Sequence, residues 1–271
     1  MGVLGSRLPD GMQVLRMLER GVSARVYLAS DGRRLKAIKL FRRENAARAS
    51  REYAIGHGLR HPNLNPIEDE VELDGAPGVR MPFTAGVRFG LWLRSAPPVS
   101  ERLRALAGVA DALAYLHGRG IVHRDVKPEN IMVDARGHAT LLDFDLAARV
   151  GEPGPRAVVG TPAYLSPEQA RGEPPVPSTD LYGFGVLLYR ALAGEVPFSG
   201  SLDEVVQAHQ RREPAPLSGF DGALAPLDEL VTRLLAKDAH ARPDGATEVA
   251  VALRAAADRM AGTPDDVAEA R

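Results

Sequence analysis

The hydrophobic pattern changes period once along the chain, near residues 83–86, and that change limits the folds open to it. Before it, apolar residues alternate at the two-residue period of a strand. Residues 14–18 read as one strand, 25–30 as a second and 35–41 as a third, separated by the turn-like 19–24 stretch and by Asp31-Gly32. The Ala- and Arg-rich residues 44–59 predict one helix, weakened near its end by Gly56 and Gly58 and stopped by His61-Pro62. Residues 71–83 read as a hairpin with an Asp-Gly or Pro-Gly turn.

After Gly86 the period becomes helical. Residues 100–117 put Leu103, Leu106, Val109, Ala110, Leu113 and Leu116 on one face, with Ser100 as the expected N-cap. Residues 130–144 read as a short hairpin. Further helices are expected over 181–193, 202–211, 224–235 and 246–259. The expected class is α+β. A small β-rich lobe with one main helix spans 10–83, a hinge spans 84–86, a larger, mainly helical lobe spans 87–259, and 260–271 form a flexible tail. Clefts between lobes are common ligand sites.

Composition narrows the function classes. Lys plus Arg total 34 and Asp plus Glu 35 in 271 residues, so no bulk charge favours nucleic acid or an anionic membrane. The absence of Cys excludes disulfides, thiolate chemistry and Cys-ligated zinc. No apolar run reaches the roughly 20 residues of a membrane span, and the N-terminus lacks a hydrophobic signal core. Gly2 and Ser6 match a loose N-myristoylation pattern whose commoner meaning is an unmodified start.

The chemistry lies in two short stretches. "HRDVKPEN" puts Asp125, Lys127 and Asn130 on one loop, and Asp143 of "LLDFDLA" follows Asn130 by 13 residues. A hairpin between them brings its outer ends together, so Asn130 and Asp143 are expected to be neighbours. An amide oxygen beside a carboxylate suits Mg²⁺, which in turn holds phosphate. Asp125 is placed to accept a proton from an attacking hydroxyl, and Lys127 to supply a cation near a transferring phosphoryl group. Any one of these residues alone is more often a surface or turn charge. It is their joint order that argues for a site.

These residues carry a family resemblance. "HRDVKPEN" matches the catalytic loop H-R-D-x-K-x-x-N of eukaryotic-type serine/threonine protein kinases in full. "SPE" at 166–168 resembles the family's A-P-E, "GTPAYLSPEQ" its substrate-docking loop, the stretch from Asp180 its central helix, and Arg242 the late Arg that pairs with the Glu of A-P-E. The chain resembles this family, its bacterial members most, over roughly residues 12–258.

The resemblance implies a bilobal protein-kinase-like fold that binds ATP between the lobes with Mg²⁺, or Mn²⁺ in its place. It implies that Lys39 grips the phosphates and is oriented by Glu52, that Asn130 and Asp143 hold the metal, and that Asp125 and Lys127 are catalytic. Gly21, Val26 and Ala37 would line the nucleotide site, with Met81 as gatekeeper. The Pro82 carbonyl and the Thr84 backbone would meet the adenine. A Lys two residues after Asp125 resembles Ser/Thr-specific rather than Tyr-specific members. The implied acceptor is a protein hydroxyl and the implied location cytoplasmic, with no nucleic-acid partner, no membrane span and an open oligomeric state. The chain would be either a soluble kinase or a domain excised from a longer one.

Three features depart from the family. Of the Gly-rich loop only Gly21 and Val26 survive, with Ala24 at the third glycine site and Glu19 adding a carboxylate. Asp145 stands where the family has Gly. It is expected either to favour one held conformation of its segment or to point toward the metal. Residues 146–160 contain no Ser, Thr or Tyr, so the first hydroxyl that could carry a phosphate for Arg124 is Thr161, which resembles the docking-loop Thr and is a less natural site, and Glu152 is the expected substitute anion. These departures support an alternative reading, a pseudokinase serving as a nucleotide-binding or scaffolding module. A small-molecule kinase is a weaker third reading, because "GTPAYLSPEQ" resembles a protein-docking loop.

Overall fold

The structure is a computed structural model that describes residues 3–21, 23–153 and 161–262. Gly2, Val22, part of the hydroxyl-free segment and most of the expected tail lie outside the described residues. The chain divides into two compact units. One runs through Ala85 and takes in Thr140–Ala147, and the other comprises Gly86–Ala139 and the described chain from Ala148 on.

The first unit is built on an antiparallel sheet of β1 (Gln13–Arg20), β2 (Ala24–Ser30), β3 (Leu35–Phe41), β4 (Asp69–Leu73) and β5 (Ala76–Pro82), in the order β1-β2-β3-β5-β4. The β4–β5 hairpin turns at Asp74-Gly75, with φ of 53° and 74°, the pair of left-handed residues that matches strand twist. Register assigns the two faces, because directly opposed residues share a side. Tyr27, Ala29, Ile38 and Leu40 lie in an apolar cluster with Leu8, Met12, Val14 and Leu73. The other face carries Val26 opposite Lys39, Lys39 opposite Val79, and Ala37 opposite Met81.

Helix α1 (Ala46–Gly56) buries Ala49, Glu52, Ile55 and Gly56. Gly56 does more than weaken the helix end. A Cβ there would come within 2.4 Å of Ile67 Cγ1 and 3.0 Å of Phe144 Cδ2, so the missing side chain is what lets these groups approach. Residues 140–147 join this unit through backbone bonds. Asn65 N donates to Leu141 O at 3.0 Å, and Leu141 N donates to Asn63 O at 2.8 Å.

The second unit is helical: α2 (Phe89–Leu93), α3 (Val99–His117), α4 (Pro167–Ala170), α5 (Pro177–Ala193), α6 (Leu202–Arg211), α7 (Asp228–Leu234) and α8 (Ala246–Gly262). The six apolar residues expected on one face of α3 are all at most 1% exposed. Ser100 is not its N-cap, however. Pro98 holds that position, with φ −51° and ψ 147°, and its carbonyl accepts from Glu101 N at 3.0 Å and Arg102 N at 3.1 Å, so the helix begins at Val99, two residues before a Ser100 cap would start it. The helix expected over 224–235 is likewise shorter. Pro226 cannot donate a backbone hydrogen bond, and residues Gly222–Leu227 form a 3₁₀ turn before α7 starts. No helix among the described residues is long and apolar enough to cross a membrane.

Candidate functional site

In the first unit, β3 carries Lys39 on the sheet face away from the apolar cluster, and α1 brings Glu52 to it. Lys39 Nζ lies 2.9 Å from Glu52 Oε2 and 2.6 Å from Asp143 Oδ1, so one buried ammonium is shared by two carboxylates. Burial opposes the charge on Lys39, but Asp143 and then Glu52 outweigh it and lift its pKa above the ordinary lysine range. Burial pushes the Glu52 carboxyl up to about 8 against the pull of Lys39, and Asp143 adds repulsion. Lys39 therefore stays charged, and Asp143 is the better hydrated of its two carboxylate partners, its side chain 39% exposed.

Asp143 adopts a left-handed φ of 68°, a region that Asp tolerates better than most residues, and its Oδ1 also accepts from Asp145 N at 3.0 Å. Asp145 turns its carboxylate to α1. Arg48 Nε donates to Oδ1 at 2.9 Å and Arg48 Nη2 to Oδ2 at 2.5 Å. Phe144 is fully buried.

The remaining expected nucleotide-lining residues fall as follows. Ala37 and Met81 are opposed on the Lys39 face, both 7% exposed, and Val26 is half-buried directly opposite Lys39. Gly21 N donates to Ala24 O at 2.9 Å, closing the β1–β2 turn. The Pro82 carbonyl accepts from Asn65 Nδ2 at 3.2 Å, which occupies one of its two lone pairs. Thr84 is half-buried.

In the second unit, the loop at residues 123–130 is held from beneath by Asp180 at the start of α5. The Asp180 carboxylate accepts from His123 N at 2.8 Å, Arg124 N at 2.7 Å and His117 Nε2 at 2.8 Å. Burial works against its ionisation, but His117 and the backbone donors hold its pKa below the usual Asp value. Arg124 sits at φ 69°, a conformation costing a non-glycine residue on the order of 1 kcal/mol or more. Asp180 and Gln169, whose Nε2 donates to Arg124 O at 3.0 Å, over-determine that turn. Gln169 is fixed in turn by a capping box with Ser166. Arg242 and Glu168 form a buried two-point ion pair at 2.6 and 2.9 Å, a structural role anticipated for them.

The strained turn brings three of the expected site residues together. Asp125 Oδ2 lies 2.7 Å from Lys127 Nζ and accepts from Asn130 Nδ2 at 2.9 Å. Asn130 Nδ2 also donates to Asp125 O at 2.9 Å, so its amide nitrogen is committed and its oxygen is the end left for a hard cation. The donor chemistry therefore fits a divalent metal. Lys127 Nζ also donates to Thr161 Oγ1 at 2.8 Å. Asn130 and Asp143 belong to different units.

Sequence reasoning missed three of these groups: Thr161 as a partner of Lys127, Arg48 as the partner of Asp145, and Asn65 on the Pro82 carbonyl. A signal existed for Arg48, which precedes Glu52 by four residues and so shares its helix face.

A β-rich unit with a Lys–Glu pair, followed by a helical unit presenting Asp, Lys and Asn on one braced loop, defines the protein kinase fold. The chain belongs to the protein kinase domain family, whose model matches residues 12–252. Among curated proteins, it is 36% identical to a probable serine/threonine-protein kinase of Streptomyces coelicolor over 93% of this chain and 41% of the relative. It is 39% identical to the serine/threonine-protein kinase pkn2 of Myxococcus xanthus over 91% of this chain and 32% of the relative. It is 35% identical to the serine/threonine-protein kinase PknB of Mycobacterium tuberculosis over 90% of this chain and 42% of the relative. The chain thus spans about two-fifths or less of the length of these relatives.

Proposed function

We propose that the chain is a serine/threonine protein kinase, transferring the γ-phosphoryl group of ATP to a protein hydroxyl, and that it works in the cytoplasm without phosphorylation of its 146–160 segment. The observation that carries this reading is the Asp125–Lys127–Thr161 constellation. Asp125 Oδ2 is engaged by Lys127 at 2.7 Å and Asn130 at 2.9 Å, whereas Oδ1 has, among the described residues, a 3.5 Å contact from the Thr161 hydroxyl. Oδ1 is therefore the atom that takes the proton from an incoming substrate hydroxyl. Lys127 would exchange part of its contact with Asp125 and Thr161 for the transferring phosphoryl oxygens.

The buried Lys39, kept charged by Glu52 and Asp143, would present its ammonium to the α- and β-phosphates. Val26, Ala37 and Met81 would pack against the base, with Gly21 in the loop over the phosphates. The Thr84 backbone groups and the second lone pair of the Pro82 carbonyl would receive its polar edge. Asn130 and Asp143 would hold Mg²⁺, with Mn²⁺ as a substitute, by their oxygens. Bound ATP and its metal supply the phosphoryl group and neutralise the charge that gathers on it in transfer. Positioning and charge stabilisation do most of the rest, because phosphoryl transfer asks for little covalent chemistry from the protein.

The test is to incubate the chain with labelled ATP, Mg²⁺ and a generic basic protein, beside Asp125→Asn. Label on the acceptor Ser and Thr in the first sample and none in the second is the expected result. Absence of label in both, with no rise in melting temperature on adding nucleotide, would overturn the reading.

A further inference from the structure

We propose that Arg48 and Asp145 form an ionic clamp that keeps α1 and the segment around Asp143 in their working arrangement, taking the place of a phosphate on the 146–160 segment. This rests on the kinase reading for its functional consequence but not for its geometry.

Four positions along α1 touch the segment. Arg48 grips the Asp145 carboxylate at two points, 2.9 and 2.5 Å. Glu52 Oε1 accepts from Phe144 N at 3.4 Å, and Arg51 Nη2 donates to Ala147 O at 3.4 Å. Gly56 lets the Phe144 ring approach. The two 3.4 Å contacts are long for hydrogen bonds, and the Phe144 contact is apolar and non-directional. The Arg48–Asp145 pair is short, charged and bidentate, so it orients the helix and the segment more tightly than these contacts do.

The pair also reaches the trio at Lys39 by two routes. Arg48 lies one turn before Glu52 on the same helix, so holding Arg48 limits rotation and withdrawal of Glu52 from its 2.9 Å contact with Lys39. At the other end, Asp145 N donates to Asp143 Oδ1 at 3.0 Å, the same atom that receives Lys39 at 2.6 Å. Displacing Asp145 would remove a donor that orients Asp143 in its left-handed conformation. The Asp145 side chain is 14% exposed and that of Arg48 39%, so the pair is less screened than an open surface bridge. A Gly at 145 would provide neither the anion nor the restraint on backbone freedom.

Residues 146–160 contain no Ser, Thr or Tyr, so no phosphate can be added there to order the segment. A permanent carboxylate at 145 facing a helix arginine does by composition what such a phosphate does by modification. The arrangement is thereby always on.

The experiment compares the whole chain with Asp145→Asn, Arg48→Ala, their double variant, and the charge-exchanged pair Arg48→Asp with Asp145→Arg. Turnover, KM for ATP, melting temperature and amide exchange across Ala46–Gly56 are measured in each. Each single variant is expected to lose roughly 10-fold in kcat, with faster exchange confined to α1 and a melting temperature within a few degrees of the parent. The double variant is expected to be no worse than the poorer single one, because the two residues act as one unit. The charge-exchanged pair is expected to recover part of the loss. Additive losses, or unchanged kcat and exchange in both single variants, would overturn the clamp. If the parent chain transfers no phosphate at all, the kinase reading fails, and the clamp is then judged on α1 exchange alone.

Discussion

Thr161 brings a neutral hydroxyl to within 2.8 Å of Lys127 Nζ, whose other close partner among the described residues is the Asp125 carboxylate. A hydroxyl orients the lysine without neutralising it, which suits a cation that must later turn to a phosphoryl group. Removing one hydrogen bond to a charged group costs about 1.5–3 kcal/mol, or roughly 10- to 100-fold if felt in the transition state. Thr161→Val is accordingly expected to lower kcat by at least about 10-fold, while Thr161→Ser keeps most activity. Steady-state kinetics on both variants checks this, and equal activity in Val and Ser would remove Thr161 from the machinery. Single residues were legible in the sequence where spacing within one loop restricted them, as for Asp125, Lys127 and Asn130. They were legible only in part where the partner lies 97 positions away, as Arg48 does from Asp145: the four-residue spacing to Glu52 names the helix face but not what that face meets. Nothing in a one-dimensional pattern says which turn of a helix will face a distant segment.

At the scale of elements, the strand periods and the apolar face of α3 could be read directly, because burial on one side imposes them. Boundaries could not, because they depend on which backbone donor is missing: Pro98 advances the start of α3, and Pro226 delays α7. Helix interiors hold a second kind of hidden information. Gly185 lies in α5, where a Cβ would come within 2.7 Å of Leu234 Cβ and 3.1 Å of Leu235 Cδ2. Replacing Gly by Ala in a helix gains up to about 1 kcal/mol of propensity. Forcing an extra carbon into a packed contact costs about 1–3 kcal/mol, and here the obstacle is a Cβ that moves only with its backbone. The packing loss wins, so Gly185→Ala is expected to destabilise the second unit by about 1 kcal/mol. Gly90→Ala is the control, since its Cβ would meet only Pro128 Cβ at 3.6 Å, an ordinary contact. Urea midpoints for the two variants should move in different directions or by clearly different amounts. Equal shifts would mean that α5 and α7 separate without cost.

At the scale of the whole molecule, acid stability should carry a resolvable contribution from the buried imidazole of His209. His209 of α6 is fully buried, its Nδ1 2.9 Å from the Tyr182 hydroxyl and its ring edge-on to Phe198 at 5.0 Å. Burial, and then the nearby Lys237 ammonium, push its pKa down from 6.5 to about 4. The folded chain therefore keeps His209 neutral between pH of about 4 and 6.5, whereas the unfolded chain takes up a proton there. Stability rises with pH wherever the unfolded state binds more protons, so the His209 contribution is complete above pH 6.5 and lost progressively toward pH 4. The full linkage is up to about 3 kcal/mol. Asp180 and Glu168 are also depressed, but their losses fall below the ordinary Asp and Glu pKa values and so come at lower pH. Glu52, raised from 4.5 to about 8, acts in the opposite sense, because the folded chain binds its proton first and gains stability as pH falls through that range; comparison of the parent with a His209 variant cancels it. Taken as the stability at pH 7 minus that at pH 5, the acid drop from urea unfolding should be smaller in His209→Gln than in the parent chain. The variant itself will be less stable at pH 7, because a non-ring side chain leaves the Tyr182 and Phe198 contacts underfilled. What decides the matter is therefore the pH difference within each protein. An unreduced acid drop in His209→Gln would assign the titration to another group.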